Sequence, residues 1–209
     1  MTVVLLHAFP LDEHMWRAQR AALEEAGHEV VAPRLYGRGS SLVGWAEQLL
    51  GEIDGELIAV GASMGGYVAL QLARLRPERV AGLVLCGSRA GSDSAERRAF
   101  RDQLLGILDA GRLPPGMETD VPPPELAEAT RALRDRPDAT DVVRAYAGPQ
   151  LLCVGDRDEL LSVDEARAQA ALAPAGSFEV IEDAGHLVGV DQPWRLTEIL
   201  LGFLERWTK

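Results

Sequence analysis

The chain has 209 residues, of which 47% are hydrophobic and 25% are charged, and its formal net charge at pH 7 is −11. This length and composition fit one globular domain, or one domain with an insertion, that can bury a substantial core. The acidic balance excludes nucleic acid and anionic membranes as favoured partners, because both require a concentrated basic surface.

The apolar runs of this sequence predict neither a membrane-spanning helix nor a signal peptide. No apolar run approaches the ~20 residues of a membrane-spanning helix, and the apolar start at residues 3–6 is too short for a signal peptide and lacks its basic residues. Cys86 and Cys153 lie inside apolar runs, which indicates two small buried side chains in a reducing compartment rather than a disulfide or a metal site. These features predict a cytoplasmic protein.

The first half of the chain alternates apolar runs with helical patterns. Predicted strands cover residues 2–7, 29–32, 57–60 and 80–86, and predicted helices cover residues 15–26, 43–53 and 67–74. Continuous apolar strands are typical of a parallel sheet that helices cover on both faces. The alternation therefore predicts an α/β fold.

The alternation stops between residues 88 and 147. Helical patterns at 93–110, 125–134 and 140–147 surround a proline-rich loop. About 60 residues without a strand far exceed the ~2–6 residues of an ordinary α/β connection. We interpret residues 88–147 as a helical cap, inserted after the fourth strand into a core formed by residues 1–87 and 148–209.

The α/β pattern resumes after this insertion. Residues 150–155 and 178–181 are predicted strands, and residues 163–172 and 194–207 are predicted helices. Asp191 is predicted to cap the last helix, and Pro193 lies in its first turn. The whole chain is thus expected to form about six mostly parallel strands.

A Gly-x-Ser-x-Gly motif, Gly61 to Gly65, stands between a predicted strand and a predicted helix. A serine on such a turn is lifted clear of the sheet, and glycines on either side make room for the strained backbone. The helix that follows directs free N–H groups at an oxyanion formed near the hydroxyl. This context predicts that Ser63 is a nucleophile.

An acid and a base follow later strands. Ligands of parallel α/β sheets sit beyond the carboxyl ends of the strands, and Asp156, Asp158 and His186 all come after such ends. A serine needs an imidazole to remove its proton, and the imidazole needs a carboxylate to fix its tautomer. We predict His186 as the base and favour Asp158 as the acid, with Asp156 open as the alternative.

The loop after the first strand is expected to complete an oxyanion hole. The backbone N–H of Phe9, together with that of Met64, would hold the oxyanion. Pro10 locks this turn, and His7 is predicted to hold the loop rather than to act on substrate.

With these residues in view, the chain resembles the α/β-hydrolase superfamily, in particular small cap-bearing serine hydrolases of the esterase, lactonase and cofactor-free haloperoxidase type. The motifs that carry the resemblance are His-Ala-Phe-Pro at residues 7–10, Gly-Ala-Ser-Met-Gly-Gly at 61–66, Gly-Asp-Arg-Asp at 155–158 and Ala-Gly-His at 184–186. The resemblance implies the α/β-hydrolase fold and a Ser63, Asp158, His186 triad.

The chain departs from the family pattern at three places. It begins at what the family would count as its third strand, so we expect the N-terminal antiparallel hairpin to be missing. Ala8 replaces a glycine of the oxyanion loop, and Arg34 stands where the family has an aspartate.

These observations predict a serine hydrolase that cleaves a small to medium carboxylic ester through an acyl-enzyme. Serine in place of aspartate at the elbow disfavours dehalogenase and epoxide hydrolase chemistry. Lactonase, thioesterase and perhydrolase activities remain alternatives, as does a ligand receptor or partner-binding module on this scaffold. We expect a small-molecule ester as partner, no cofactor and no metal. Apolar cap residues, namely Phe100, Leu104, Leu108 and Met117, are expected to line the substrate pocket, and packing of the cap onto the sheet domain is the open alternative for each of them.

Overall fold

The computed structural model describes residues 1–207. Six strands form one sheet: β1 (Thr2–Leu6), β2 (Glu29–Val31), β3 (Leu57–Ala62), β4 (Val80–Cys86), β5 (Gln150–Gly155) and β6 (Gly176–Ile181). Their order across the sheet is β2-β1-β3-β4-β5-β6, and every neighbouring pair is parallel. The prediction of about six mostly parallel strands is confirmed.

Residues 1–207 contain nine α-helices, of which the last two follow β6. They are α1 (Arg17–Glu25), α2 (Leu42–Glu52), α3 (Met64–Leu75), α4 (Ala95–Leu108), α5 (Pro123–Arg134), α6 (Thr140–Ala145), α7 (Val163–Ala170), α8 (Val188–Asp191) and α9 (Pro193–Trp207). Short 3-10 turns precede α1 and follow α3. Among the described residues, no helix is long and apolar enough to cross a membrane.

The sheet is buried on both faces, as its continuous apolar strands predict. Successive side chains of β1 belong to different hydrophobic clusters, with Val4 and Leu6 in one and Val3 and Leu5 in the other. Because neighbouring side chains of a strand point to opposite faces, the two clusters lie on opposite sides of the sheet. Helices α1 and α9 cover the Val3 face, while α2, α3 and α7 cover the Val4 face.

Residues 88–147 contain α4, α5 and α6, and the described chain forms no strand between β4 and β5. Leu104 of α4 and Leu126 of α5 are buried in the same cluster as Val4. The predicted bounds of α4 and α6 are slightly too long. Ser94 caps α4 by accepting a hydrogen bond from the N–H of Arg97, and α6 ends before Tyr146, whose hydroxyl donates to Val80 O at 2.7 Å.

Candidate active site

Ser63 lies on the sharp turn between β3 and α3. Its backbone has φ 47° and ψ −107°, a conformation that L-residues rarely adopt. Its N–H donates to Cys86 O at 2.8 Å, which ties the turn to β4. This backbone turns the side chain of Ser63 away from the sheet and into the cavity described below.

Two glycines make the turn possible. A Cβ atom on Gly65 would lie 2.0 Å from Leu6 O of β1, and a Cβ on Gly61 would lie 2.3 Å from the carbonyl carbon of Gly65. Both separations are far below van der Waals contact, so a side chain at either position would push the strand and the helix apart. The motif is therefore a packing requirement of the turn itself.

His186 lies between Ser63 and Asp158. Its Nε2 is 2.8 Å from Ser63 Oγ, and its Nδ1 is 2.9 Å and 3.0 Å from the two carboxylate oxygens of Asp158. Because an ionised carboxylate can only accept, Nδ1 carries the proton, and Nε2 is left to accept the hydrogen bond of the Ser63 hydroxyl. The structure thus brings together the serine, the histidine and the aspartate that the sequence singles out.

The carboxylate of Asp158 is fully buried, whereas the His186 side chain is 20% exposed. Burial by itself raises the pKa of Asp158, but hydrogen bonds from His186 and from the backbone N–H groups of Leu160 and Leu161 outweigh it and lower the pKa below its ordinary value. Asp158 is therefore ionised at neutral pH, the state in which it accepts from Nδ1.

The loop that carries His186 is held by two other carboxylates. Asp156 Oδ1 accepts from the N–H of Ala184 at 3.1 Å, and Asp191 Oδ2 accepts from the N–H of Gly185 at 2.8 Å. The predicted N-cap role of Asp191 is wrong, because this residue ends α8 and its carboxylate turns back to the histidine loop. Sequence reasoning missed this role, since six residues separate Asp191 from its partner.

The two residues predicted to supply the oxyanion groups lie at the start of α3 and in the wall of the cavity that Ser63 lines. Met64 is the first residue of α3, so its N–H has no acceptor within the helix. Phe9 lines the same cavity as Ser63 and is joined to Pro10 by a cis peptide bond. His7 is completely buried, and its Nε2 accepts from the N–H of Leu35 at 2.9 Å. It thus joins the loop after β1 to the segment after β2.

A cavity of about 830 Å³ opens over Ser63 and His186. Phe100, Leu104 and Met117 line it, as the sequence predicts. Leu108 does not line this cavity, and its predicted place in the pocket is wrong. It is 1% exposed and, although it lies on the same face of α4 as Leu104 one turn earlier, its side chain is enclosed in the hydrophobic cluster with Leu105.

Among the described residues, one group of side chains, at residues 12–14, has its potential metal-ligand atoms close together. Asp12, Glu13 and His14 place potential ligand atoms within 4.8 Å of one another. The backbone N–H and the ring of His14 already bond to Asp12 Oδ1, at 2.9 and 3.1 Å, which accounts for their closeness. This group forms the short turn before α1 and does not line the cavity.

Comparison with known proteins places the chain among hydrolases. A model of the alpha/beta hydrolase family matches residues 3–197. The structure is similar to that of a thermophilic esterase from Thermogutta terrifontis, solved with malate bound, with a TM-score of 0.92 and 32% identity over 100% of this chain and 91% of that one.

Curated sequences give a similar result. A pimeloyl-[acyl-carrier protein] methyl ester esterase of Aromatoleum aromaticum is 41% identical over 92 residues, which cover 41% of this chain and 36% of that protein. A 3-oxoadipate enol-lactonase of Acinetobacter baylyi is 25% identical over 240 residues, which cover 97% of this chain and 88% of the lactonase. The chain covers less than two thirds of the first curated relatives it matches, 36% and 63% of their lengths.

Proposed function

The chain belongs to the alpha/beta hydrolase family, and from this premise we propose that it is a serine hydrolase that cleaves small to medium carboxylic esters through an acyl-enzyme. The observation that carries the proposal is the hydrogen bond from Ser63 Oγ to His186 Nε2, with the buried Asp158 behind the imidazole. The similarity to proteins named esterase, methyl ester esterase and enol-lactonase supports the same reaction class.

In the proposed first half-reaction, Ser63 Oγ attacks the ester carbonyl while His186 Nε2 takes its proton. The backbone N–H groups of Met64 and Phe9 hold the negative charge that develops on the carbonyl oxygen. The imidazolium then gives the proton to the departing alcohol, and an acyl group remains on Ser63.

The second half-reaction uses the same groups. His186 Nε2 takes a proton from water, the hydroxide attacks the acyl carbon, and the carboxylic acid leaves as the proton returns to Ser63. Asp158 stays ionised throughout and stabilises the imidazolium. The reaction balances with water as the only co-reactant.

We further propose that residues 88–147 act as a cap on a core of residues 1–87 and 148–209. Support comes from the cavity, whose walls combine Ser63 and His186 with Phe100, Leu104 and Met117 of this segment. The segment would then set the size of the substrate. A cytoplasmic location stays a prediction from the sequence alone.

A fluorophosphonate probe tests the nucleophile directly. We expect it to label the wild-type protein and not Ser63→Ala. Ser40→Ala, which removes an exposed hydroxyl, should be labelled as strongly as the wild type. Equal labelling of Ser63→Ala would contradict the proposed nucleophile.

A panel of esters, lactones and thioesters of increasing acyl length then identifies the activity. Turnover of esters, abolished in Ser63→Ala, is the expected outcome. Faster turnover of lactones or thioesters would replace the ester assignment by one of these activities. Labelling of Ser63 without turnover of any member would instead favour a binding role on this scaffold.

A further inference from the structure

The wall of the cavity carries three arginines besides the proposed reacting groups. Arg89, Arg97 and Arg101 line it together with Ser63 and His186. The side chains of Arg89 and Arg101 are only 18% and 17% exposed. Such a concentration of partly buried cations is unexpected in a chain with a net charge of −11. We therefore ask which anionic groups balance the positive charge of these arginines.

Arg101 already has a carboxylate partner, although it shares this partner with a second arginine. The Asp93 side chain is 1% exposed, and its two oxygens bind Arg101 Nε and Arg136 Nη1 at 2.5 Å each. Arg136 also stacks over the ring of Tyr67, 4.2 Å from its centroid. Two guanidinium groups around one carboxylate leave one positive charge uncompensated.

Arg89 and Arg97 have no comparable partner. Both donate from Nη2 to the same neutral acceptor, the carbonyl oxygen of Leu160, so the two guanidinium groups lie side by side. Glu165 reaches Arg89 only at 4.0 Å and is 58% exposed, and no ion pair is formed by Arg97 within residues 1–207. The acidic side chains of the cavity wall are Asp93, which is already engaged, and the exposed Glu118.

We propose that Arg89 and Arg97 bind a carboxylate of the substrate, so that the preferred substrates are esters or lactones with a second, ionised carboxyl group apart from the reacting carbonyl. Planar guanidinium groups match a carboxylate with paired hydrogen bonds, and an anion between them relieves the repulsion of two adjacent cations. This inference rests on the proposed function and narrows its substrate class.

The dimensions of the cavity fit this substrate class. Its volume of about 830 Å³ lies within the usual range for small-molecule sites. The apolar side chains Phe100, Leu104 and Met117 line the same cavity and can cover a short methylene chain between the two carboxyl groups. The cavity wall therefore complements a substrate that has a charged carboxylate at one end and an apolar chain in the middle.

A purely structural role for the arginines makes a different prediction. Leu160 lies on the loop of Asp158, whose Oδ1 accepts from the N–H groups of Leu160 and Leu161. If Arg89 and Arg97 served only to fix this loop, their loss would misplace Asp158 and slow all substrates by the same factor. The ratio of activities on a charged and a neutral ester separates the two roles.

The test compares monomethyl glutarate with methyl pentanoate, two methyl esters of equal acyl length that differ in the terminal carboxylate. We expect the wild-type kcat/KM to be at least about tenfold higher for the charged ester. Arg97→Gln and Arg89→Gln should each lose about tenfold of this preference, chiefly through a higher KM for the charged ester. Arg98→Gln removes an exposed arginine next along α4 and should keep the wild-type ratio.

A third substrate, O-acetylglycolate, carries its carboxylate on the alcohol side of the ester and so shows which part of the substrate the arginines bind. A preference for either charged ester over the neutral ester supports the proposal. Two outcomes overturn it: wild-type protein that favours neutral esters, and arginine variants that lose activity on charged and neutral esters by the same factor.

A binding measurement keeps the proposal testable if the protein hydrolyses no ester at all, the result that would refute the proposed function. Calorimetric titration of Ser63→Ala with glutarate should show binding that weakens about tenfold when Arg97→Gln is added. Absent binding, or equal binding by the two proteins, would refute the carboxylate site independently of catalysis.

Discussion

Asp156 and Asp158 lie two residues apart on the loop after β5, yet their carboxylates have different partners. Asp158 accepts from His186 Nδ1, whereas Asp156 accepts from the N–H of Ala184 and so fixes the loop on which His186 stands. One carboxylate contacts the proposed base, and the other contacts only backbone. Their removal should therefore change different properties of the protein.

We expect Asp158→Asn to lower kcat by about 10³- to 10⁴-fold, because an amide no longer fixes the tautomer of His186 or stabilises the imidazolium. Asp156→Asn should lower the free energy of unfolding by about 1–2 kcal/mol while retaining most of kcat, because it weakens a hydrogen bond to the loop. Steady-state kinetics and urea unfolding measure the two effects. The reverse pattern would assign the acid to Asp156.

His7 lies in surroundings that set its charge. Burial lowers its pKa from 6.5 to about 4, although the hydrogen bond to Ala8 O at 3.1 Å acts in the opposite direction. With Nδ1 donating to Ala8 and Nε2 accepting from Leu35, the neutral ring fits its site. The folded protein therefore resists protonation of His7, whereas the unfolded chain accepts a proton near pH 6.5.

This difference makes stability depend on pH. Because the pKa of His7 is lower in the folded state, its neutral ring contributes fully to the free energy of unfolding above pH 6.5. This contribution is lost as the pH falls from 6.5 towards 4. Between pH 7.5 and 5 we expect the wild type to lose about 2 kcal/mol more than His7→Gln, whose amide oxygen can still accept from Leu35. Urea unfolding at the two pH values measures this difference. Equal losses of stability in the wild type and His7→Gln would contradict the lowered pKa of His7.

At the scale of elements, the turn between β3 and α3 is built on backbone contact. Helix α3 starts directly behind Ser63, and Gly65 in its first turn lies against the carbonyl of Leu6 in β1. The neighbouring Gly66 makes room for Ser88, whose hydroxyl lies 3.1 Å from Ser63 O. The position of Ser63 therefore depends on how closely a strand and a helix approach each other.

We expect Gly65→Ala to lower the free energy of unfolding by about 3 kcal/mol, because the new methyl group would overlap a fixed backbone oxygen. Gly51→Ala is the matched control. Gly51 is an exposed residue of α2, and a Cβ atom added there would meet nothing within 4 Å, so alanine should raise stability by about 0.5–1 kcal/mol. Equal effects of the two changes in urea unfolding would refute the packing argument.

At the scale of the whole molecule, the helical segment of residues 88–147 shares one hydrophobic cluster with the sheet, and its own buried charged group contacts α3. Leu126 of α5 packs in the cluster that contains Val4 of β1. Asp93, which follows β4, binds Arg101 of α4 and Arg136 after α5, and Arg136 lies over Tyr67 of α3. These contacts couple the proposed cap to the core, so we expect both to unfold in one transition.

Asp93→Asn should lower the midpoint of that transition and cost about 3 kcal/mol or more, because it leaves the buried guanidinium group of Arg136 and the partly buried one of Arg101 without a counter-charge. Asp102→Asn removes a carboxylate that is 59% exposed and pairs with Arg134, so its cost should stay below about 1 kcal/mol. Calorimetry and urea unfolding measure both variants. A separate early transition of the Asp93→Asn protein would show that the segment unfolds independently.

The amino-acid sequence by itself determined the strands, the helices other than α8, and the two ends of the Ser63 turn. The apolar runs at residues 80–86 and 150–155 coincide with β4 and β5, because a strand buried on both faces leaves a continuous local signal. The glycines around Ser63 are an equally clear sequence signal, because a side chain at Gly61 or Gly65 would overlap the backbone of the turn.

Only the tertiary structure decided which side chains face one another. It turned Asp191 towards Gly185, buried Leu108, and brought Arg89 and Arg97 to the carbonyl of Leu160, 71 and 63 residues away along the chain. Local periodicity sets what each segment becomes, but these contacts depend on how distant segments pack. Sequence therefore indicated the proposed chemistry, while packing shaped the cavity proposed to select its substrate.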